Sequence, residues 1–320
     1  MNSIFDKQPL EVKENLELLK ADLDNKIPTK QLDRNLLIAT WNIRAFGNLT
    51  RKWDSDDDDS PKRDLHSILC IAEIIKRFDV IAVQEVKDNI RALRDTLKVL
   101  GTNWSLILTD VNKGDVGNGE RMAYLFDTRR VQLSGLAGEL VVPEEWEDSI
   151  KDTALSKQFV RSPYAVSFKS GKRTFILVTL HILYGKNKKS RIPELRGIAK
   201  WLRDWADNVN AYHQDFIALG DFNIDKRGDL LDKTFLSEGL YVPEQLQNDK
   251  VTRSIFNKTK YYDQIAWFNS DAKGPNLSME FVNGGNYDFV NVALKNRLLT
   301  NNSLSWLISD HYPLWAEFKI

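Results

Sequence analysis

Several short apolar runs in this chain stop at, or start from, a residue able to bind a metal or move a proton. "LLIATW" ends in Asn42, "VIAVQ" in Glu85, "TFILVTL" in His181 and "FIALG" in Asp221, with Asn223 two residues further on. Asp263 opens "DQIAWF", and "SWLIS" leads into Asp310 and His311 just before "YPLWAEFK". Each has a modest explanation on its own. Asn42 and Asp221 suit turns, Glu85 suits the start of a helix over "VKDNIRALRDTL", and a lone histidine suits a bond to a core carbonyl. Six strand ends of this kind form a set. Burying such groups without partners costs roughly 2–7 kcal/mol each on transfer scales, so they are expected to converge on one another, on water or on a metal.

The residue types narrow the chemistry. The donors are oxygens, Cys70 is the only cysteine and HExxH is absent, which disfavours Zn²⁺ and favours Mg²⁺ or Mn²⁺. Two histidines and surplus carboxylates remain for acid–base work beside the metal. That combination suits hydrolysis of a phosphate ester. Serine-hydrolase chemistry has no matching motif, since GxSxG is missing, and the phosphate loops GxGxxG and GxxxxGKS are absent as well.

Nine apolar runs rich in β-branched and aromatic residues read as strands: 36–42, 80–85, 104–110, 122–127, 164–169, 174–181, 216–221, 264–268 and 313–319. Helices fall between several of them. Ser60–Pro61 reads as the cap and first turn of a helix over "PKRDLHSILCIAEIIKRF". "IPELRGIAKWLRDWADNV" places Leu195, Ile198, Ala199, Leu202 and Ala206 on one face. Residues 1–34 read as an amphipathic helical extension with Leu16, Leu18, Leu19 and Leu23 on its apolar stripe, docked on a main domain over 35–320. The order favours two layers of β-structure with helices outside over a doubly wound sheet. "DSDDDDS" (54–60) reads as a solvated acidic loop, its spacing unlike an EF-hand.

Composition sets the outer limits. Forty-five basic residues balance forty-five acidic ones in 320 residues, which excludes a strongly basic DNA coat but not an enzyme with a local basic patch. "GKNKKSR" (185–191), with Lys186, Lys188 and Lys189, is the best such patch. The single cysteine, the lack of an apolar leader and the lack of a long apolar span point to a soluble, cytoplasmic protein without a membrane partner.

"WNIRAFG", "VIAVQEVKD", "GERMAYLFD", "FILVTLH", "GDFNID", "YYDQI" and "ISDHYPLW" resemble, in order, the motifs of the endonuclease/exonuclease/phosphatase superfamily, closest to its deoxyribonuclease I-like nucleases. The resemblance covers about residues 35–320. It implies an α/β (α+β) four-layer sandwich of two packed mixed sheets flanked by helices, and cation-dependent phosphodiester cleavage. Asn42, Glu85, Asp310 and Asp221 match its metal site, for Mg²⁺ or Mn²⁺ with Ca²⁺ as an accessory ion. Asp221 and Asn223 match the groups that orient water and phosphate. His181 with Glu120 matches the proton donor to the leaving oxygen, and His311 with Asp263 the base; in another version of the mechanism Asp221 activates water and His311 meets the phosphate. Arg44, Lys87 and Arg161 match DNA-contacting positions. Lys87 stands where the relatives have a minor-groove arginine, and Asn118 where they have a stacking tyrosine. The expected protein is a monomeric, DNA-hydrolysing endonuclease with little sequence preference. A phosphatase or phosphodiesterase of inositol phosphates, phospholipid head groups or nucleotides is the second reading, and an inactive binding module the third.

Overall fold

The computed structural model of the chain describes residues 2–112, 119–141, 159, 161–185, 187–208, 215–269 and 277–320. Its strands are β1 (Asn35–Phe46), β2 (Val80–Lys87), β3 (Trp104–Leu108), β4 (Glu120–Asp127), β5 (Gln132–Glu139), β6 (Tyr164–Ser170), β7 (Arg173–His181), β8 (Phe216–Asp221), β9 (Leu240–Tyr241), β10 (Asp263–Phe268), β11 (Glu280–Asn286) and β12 (Leu314–Lys319). They form two six-stranded mixed sheets, ordered β11-β12-β1-β2-β4-β3 and β5-β6-β7-β8-β10-β9. The α-helices are α1 (Leu10–Lys26), α2 (Leu65–Ile75), α3 (Arg91–Leu100), α4 (Ile192–Asp207), α5 (Leu230–Phe235) and α6 (Asn301–Leu307).

Alternation along the central strands assigns each face. In β1, Leu36 and Ile38 join the core that holds the second sheet, whereas Leu37, Ala39 and Trp41 join the core under the helices. β2 and β4 divide the same way, Val80, Ala82, Tyr124 and Phe126 facing one core and Ile81, Val83, Ala123 and Leu125 the other. Apolar residues of α1, α2 and α3 cover the first sheet, and those of α4 and α5 belong to the second sheet's core. The expected sandwich of packed sheets with helices outside is therefore the architecture found.

Local detail departs from the sequence reading in three places. Helix α2 begins at Leu65, and its cap is Asp64, whose side chain accepts from the Ser67 amide; Ser60–Pro61 lies in the preceding loop. Asp and Ser are comparable caps, and here it is Asp64 that lies within reach of the free first-turn amides. In α1, Val12, Leu16, Leu19 and Leu23 are buried but Leu18 is exposed, because it lies off their 3–4-residue spacing. Burying a leucine such as Leu19 contributes about 1.5–3 kcal/mol. Strands β5, β9 and β11 carry no bulky apolar run: "QLSGLAGE" alternates with an exposed face, β9 is two residues long, and "EFVNGGN" is a glycine-bearing edge.

Strand direction gathers the polar ends. β1 with β2, and β7 with β8, run parallel, so Asn42, Glu85, His181 and Asp221 leave together at the carboxyl ends of neighbouring strands. β4, β10 and β12 are antiparallel to these strands and enter from the same edge. Glu120 and Asp263 head two of them, and Asp310–His311 precede the third.

Candidate active site

Asp221 is the hub. In register it lies opposite His181 of β7 and Asp263 of β10. Its Oδ1 accepts from the Asn223 amide at 2.9 Å, and its Oδ2 accepts from Asn42 Nδ2 at 3.0 Å. The Nε2 atoms of His181 and His311 lie 3.7 and 3.9 Å from that same Oδ2. Two imidazoles thus meet one carboxylate from opposite sides.

Each imidazole is held from behind by a second acid. His311 Nδ1 is 2.7 Å from Asp263 Oδ2, and His181 Nδ1 is 3.3 Å from Glu120 Oε2. The hydrogen bond at Nδ1 orients the His311 ring and turns its Nε2 toward Asp221, whereas His181 has a charge contact with Glu120. Burial pushes the Asp263 carboxyl up to about 6, with the His311 charge limiting the rise. Burial also pushes His311 down, but the charges of Asp263 and Asp221 more than offset it and raise the imidazole well above its ordinary value. Glu120 behaves differently. Burial alone would raise its carboxyl, yet the hydrogen bond and charge of His181, with Arg161 and Lys87, hold it down at about 2.

The basic partners of Glu120 are two of the expected DNA contacts. Arg161 Nε lies 2.8 Å from Oε2, and Lys87 Nζ donates to Oε1 at 2.7 Å. Arg161 is buried and Lys87 partly so, which turns both charges onto the acid behind His181. Arg44 is placed differently. Its guanidinium lies 3.7 Å from the Trp306 ring centroid and donates to Ser305 Oγ at 2.5 Å. Lys188 is exposed and pairs with Asp229 at 3.1 Å and Asp225 at 3.6 Å, Lys189 is exposed, and Lys186 lies outside the described residues, as does Asn118. Arg191, the last residue of that basic run, is buried and bonded to the site loop rather than facing solvent.

Two of the metal-type residues, Asn42 and Glu85, meet beside Asp221. Asn42 Nδ2 donates to Glu85 Oε1 at 3.2 Å as well as to Asp221. Glu85 Oε2 accepts from the Ala45 amide at 2.8 Å. This geometry depends on a bulge, in which β1 advances from Asn42 to Phe46 while β2 advances from Gln84 to Val86. Glu85 and Ala45 take positive φ of 58° and 45°, and Asn223 takes 51°. Non-glycine residues in that region cost about 1–3 kcal/mol each and gather at functional sites. Asp310 is half-buried, with its backbone oxygen accepting from the Ile255 amide at 3.0 Å.

Residues not singled out from sequence hold this arrangement. Ser309 Oγ donates to the Asn42 carbonyl at 2.6 Å and accepts from the amides of His311 and Arg44. It ties the β1 end to the Asp310–His311 segment, and its only sequence signal is its place beside them. Arg63, buried, donates to the carbonyls of Arg44, Ala45, Leu307 and Ile308. Gln84 bridges the sheets, donating to Thr40 and Thr179 at 3.0 and 2.9 Å.

A divalent cation suits these residues. Among the described residues Asn42 Oδ1 is buried without a hydrogen-bond partner, while its Nδ2 meets the Glu85 and Asp221 carboxylates, so these side chains offer hard oxygen donors with spare capacity. The acidic loop is another matter. Asp56, Asp58 and Asp59 cluster there, but Lys52 Nζ already binds Asp56 at 2.6 Å and Asp59 at 2.8 Å, as expected of a solvated loop.

Two packed mixed sheets thus bring two His–carboxylate pairs beside one central aspartate. The model of the Endonuclease/Exonuclease/phosphatase family matches residues 39–275, and the chain belongs to that family. A deoxyribonuclease of Thioalkalivibrio sp. (strain K90mix) is 29% identical over 197 residues, covering 59% of this chain and 46% of the relative. The chain thus matches under half of that relative's length. Among solved structures, the mannosyl-6-phosphatase Bt3783 of Bacteroides thetaiotaomicron VPI-5482 aligns with a TM-score of 0.56 at 18% identity, covering 88% of this chain and 99% of that one. D. rerio TDP2 complexed with a single-strand DNA product aligns with a TM-score of 0.56 at 16% identity, covering 89% and 99%. These likenesses establish the fold. No described helix is long and apolar enough to cross a membrane.

Proposed function

We propose that the chain is a divalent-metal-dependent phosphodiesterase of the deoxyribonuclease I type, hydrolysing DNA as an endonuclease with little sequence preference. The convergence of two carboxylate-backed histidines on Asp221 supports this reading above all. A site that only bound phosphate would have no use for two oriented imidazoles, whereas cleavage must deliver one proton and remove another.

Glu85, Asn42, Asp310 and Asp221 would hold Mg²⁺ or Mn²⁺, which when bound supplies charge neutralisation and polarisation of the phosphoryl oxygens. His181, its Nδ1 against Glu120, presents Nε2 to the leaving oxygen and protonates it there. His311 Nε2 and Asp221 Oδ2, 3.9 Å apart, meet the attacking water and the phosphate. Asn223, with its Nδ2 donating to the Ile182 carbonyl at 2.7 Å, fixes the turn that carries Asp221. Arg44, set at the rim, faces a backbone phosphate.

The test is nicking of supercoiled plasmid with Mg²⁺ or Mn²⁺ by the wild type and by His311→Ala. The wild type is expected to nick and the variant to lose nearly all activity. Equal rates in both, or no nicking with any of several metals, would overturn the proposal. Phosphate release from inositol phosphates without cleavage of DNA would replace it with the phosphatase reading.

A further inference from the structure

Beyond the histidines, a line of aromatic rings leads out of the site. The Tyr262 ring lies 5.4 Å from the His311 ring at an interplanar angle of 31°, and the Tyr184 ring packs edge-on to Tyr262 at 6.5 Å. Tyr184 comes three residues after His181 and is 53% exposed. Its exposure matters because of its place, three residues from His181 and in contact with the ring that packs on His311.

It is nonetheless held firmly. The buried Arg191 guanidinium lies 4.5 Å from the Tyr184 ring centroid, and its Nε donates to the Tyr184 carbonyl at 2.7 Å. Its Nη1 donates to the carbonyl of Asn223 and to Asp225 Oδ2 at 3.2 Å. The exposed ring is thereby tied to the turn that carries Asp221. Lys260 Nζ lies 5.2 Å from the Tyr262 ring centroid and donates to Asp225 Oδ1 at 2.6 Å. An exposed ring anchored beside cations, as Tyr184 is, is the arrangement on which a base stacks while its backbone follows the charge.

We propose that Tyr184, buttressed edge-on by Tyr262, forms a stacking subsite for an unpaired nucleobase next to the scissile phosphate, so that single-stranded DNA is favoured over duplex. The subsite rests on the reading of the site as a DNA phosphodiesterase. An unpaired base offers a free π-face, whereas a base inside a duplex has both faces covered by its neighbours. Base–aromatic stacking is worth about 1–3 kcal/mol, which corresponds to roughly 5- to 160-fold in KM.

Steady-state cleavage of three substrates separates the possibilities: a ~12-nucleotide oligothymidylate, its duplex with oligodeoxyadenylate, and the same strand with abasic residues flanking one phosphate. Tyr184→Ala is expected to raise KM for the single strand about 5- to 160-fold with kcat nearly unchanged, and Tyr184→Phe to restore it. The abasic strand is expected to show the elevated KM with wild type and no further change in the variant. An unchanged KM in Tyr184→Ala, or an equal rise on the duplex and abasic substrates, would overturn the subsite alone. Wild type that cleaves none of the three, yet releases phosphate from a small monoester, would overturn the DNA reading together with it.

Discussion

Gly220 immediately precedes Asp221, and its replacement by alanine tests whether the strand register positions the site. Gly220 has φ of +145°, and a Cβ built there would sit 2.1 Å from the Leu180 carbonyl oxygen and 2.9 Å from the Leu180 amide nitrogen. Both are backbone atoms of β7, so no side chain can swing away. Relieving the contact requires about 1 Å of separation between β7 and β8 or a rotation of the Gly220 peptide. Either moves Asp221 relative to His181, its register partner, and to Asp263 across the sheet. A misplacement of about 1 Å in a catalytic group costs about 100-fold in rate. The backbone strain adds about 1–3 kcal/mol of destabilisation. Gly220→Ala is therefore expected to nick plasmid at least ~100-fold more slowly and to melt several degrees lower. Gly138→Ala is the control, since its Cβ would meet nothing within 4 Å. Plasmid nicking and differential scanning fluorimetry are the assays. A Gly220→Ala enzyme with near-wild-type rate and melting temperature would refute the register argument.

Burial pushes His66 down to about 4, and the nearby Arg297 pushes the same way. The unfolded chain therefore binds more protons between pH 4 and about 6.5. The stability contributed by neutral His66 is complete above about pH 6.5 and declines as the pH falls toward 4, by about 3 kcal/mol in total. Urea titrations of wild type and His66→Gln at pH 7 and pH 4.5 should show a smaller loss in the variant, and parallel losses would contradict this. Trp306→Ala should free the Arg44 guanidinium and raise KM for DNA about 2- to 30-fold, matching ~0.5–2 kcal/mol for the cation–π contact, with kcat retained. The dependence of KM on salt should flatten by about one phosphate contact in the same variant, and an unchanged slope would remove Arg44 from the DNA-facing surface.

Much of the candidate site was legible as residue types at strand ends. Apolar runs with a period of two announce strands, and a polar residue that interrupts such a run stands out without knowledge of its neighbours. Helix α4 was readable for the same reason, because Leu195, Ile198 and Leu202 repeat at helical spacing and all are buried. Strands β5 and β11 were not readable, because their stability comes from pairing with β6 and β12 rather than from their own apolar content. The cap of α2 was misplaced because Ser60 and Asp64 are both good local acceptors, and only the fold shows which one meets the free amides.

By itself the sequence determined that oxygen donors and two histidines terminate successive strands, and that such a set suits a hard cation and phosphate chemistry. The tertiary structure alone decided the geometry around them. It brought both Nε2 atoms within 4 Å of one oxygen of Asp221, put Glu85 in the left-handed region across a bulge, and paired Lys87 and Arg161 with Glu120. Sequence spacing records the period of each segment, but distances between segments depend on strand direction, register and sheet packing, and these exist only once the two sheets close on each other.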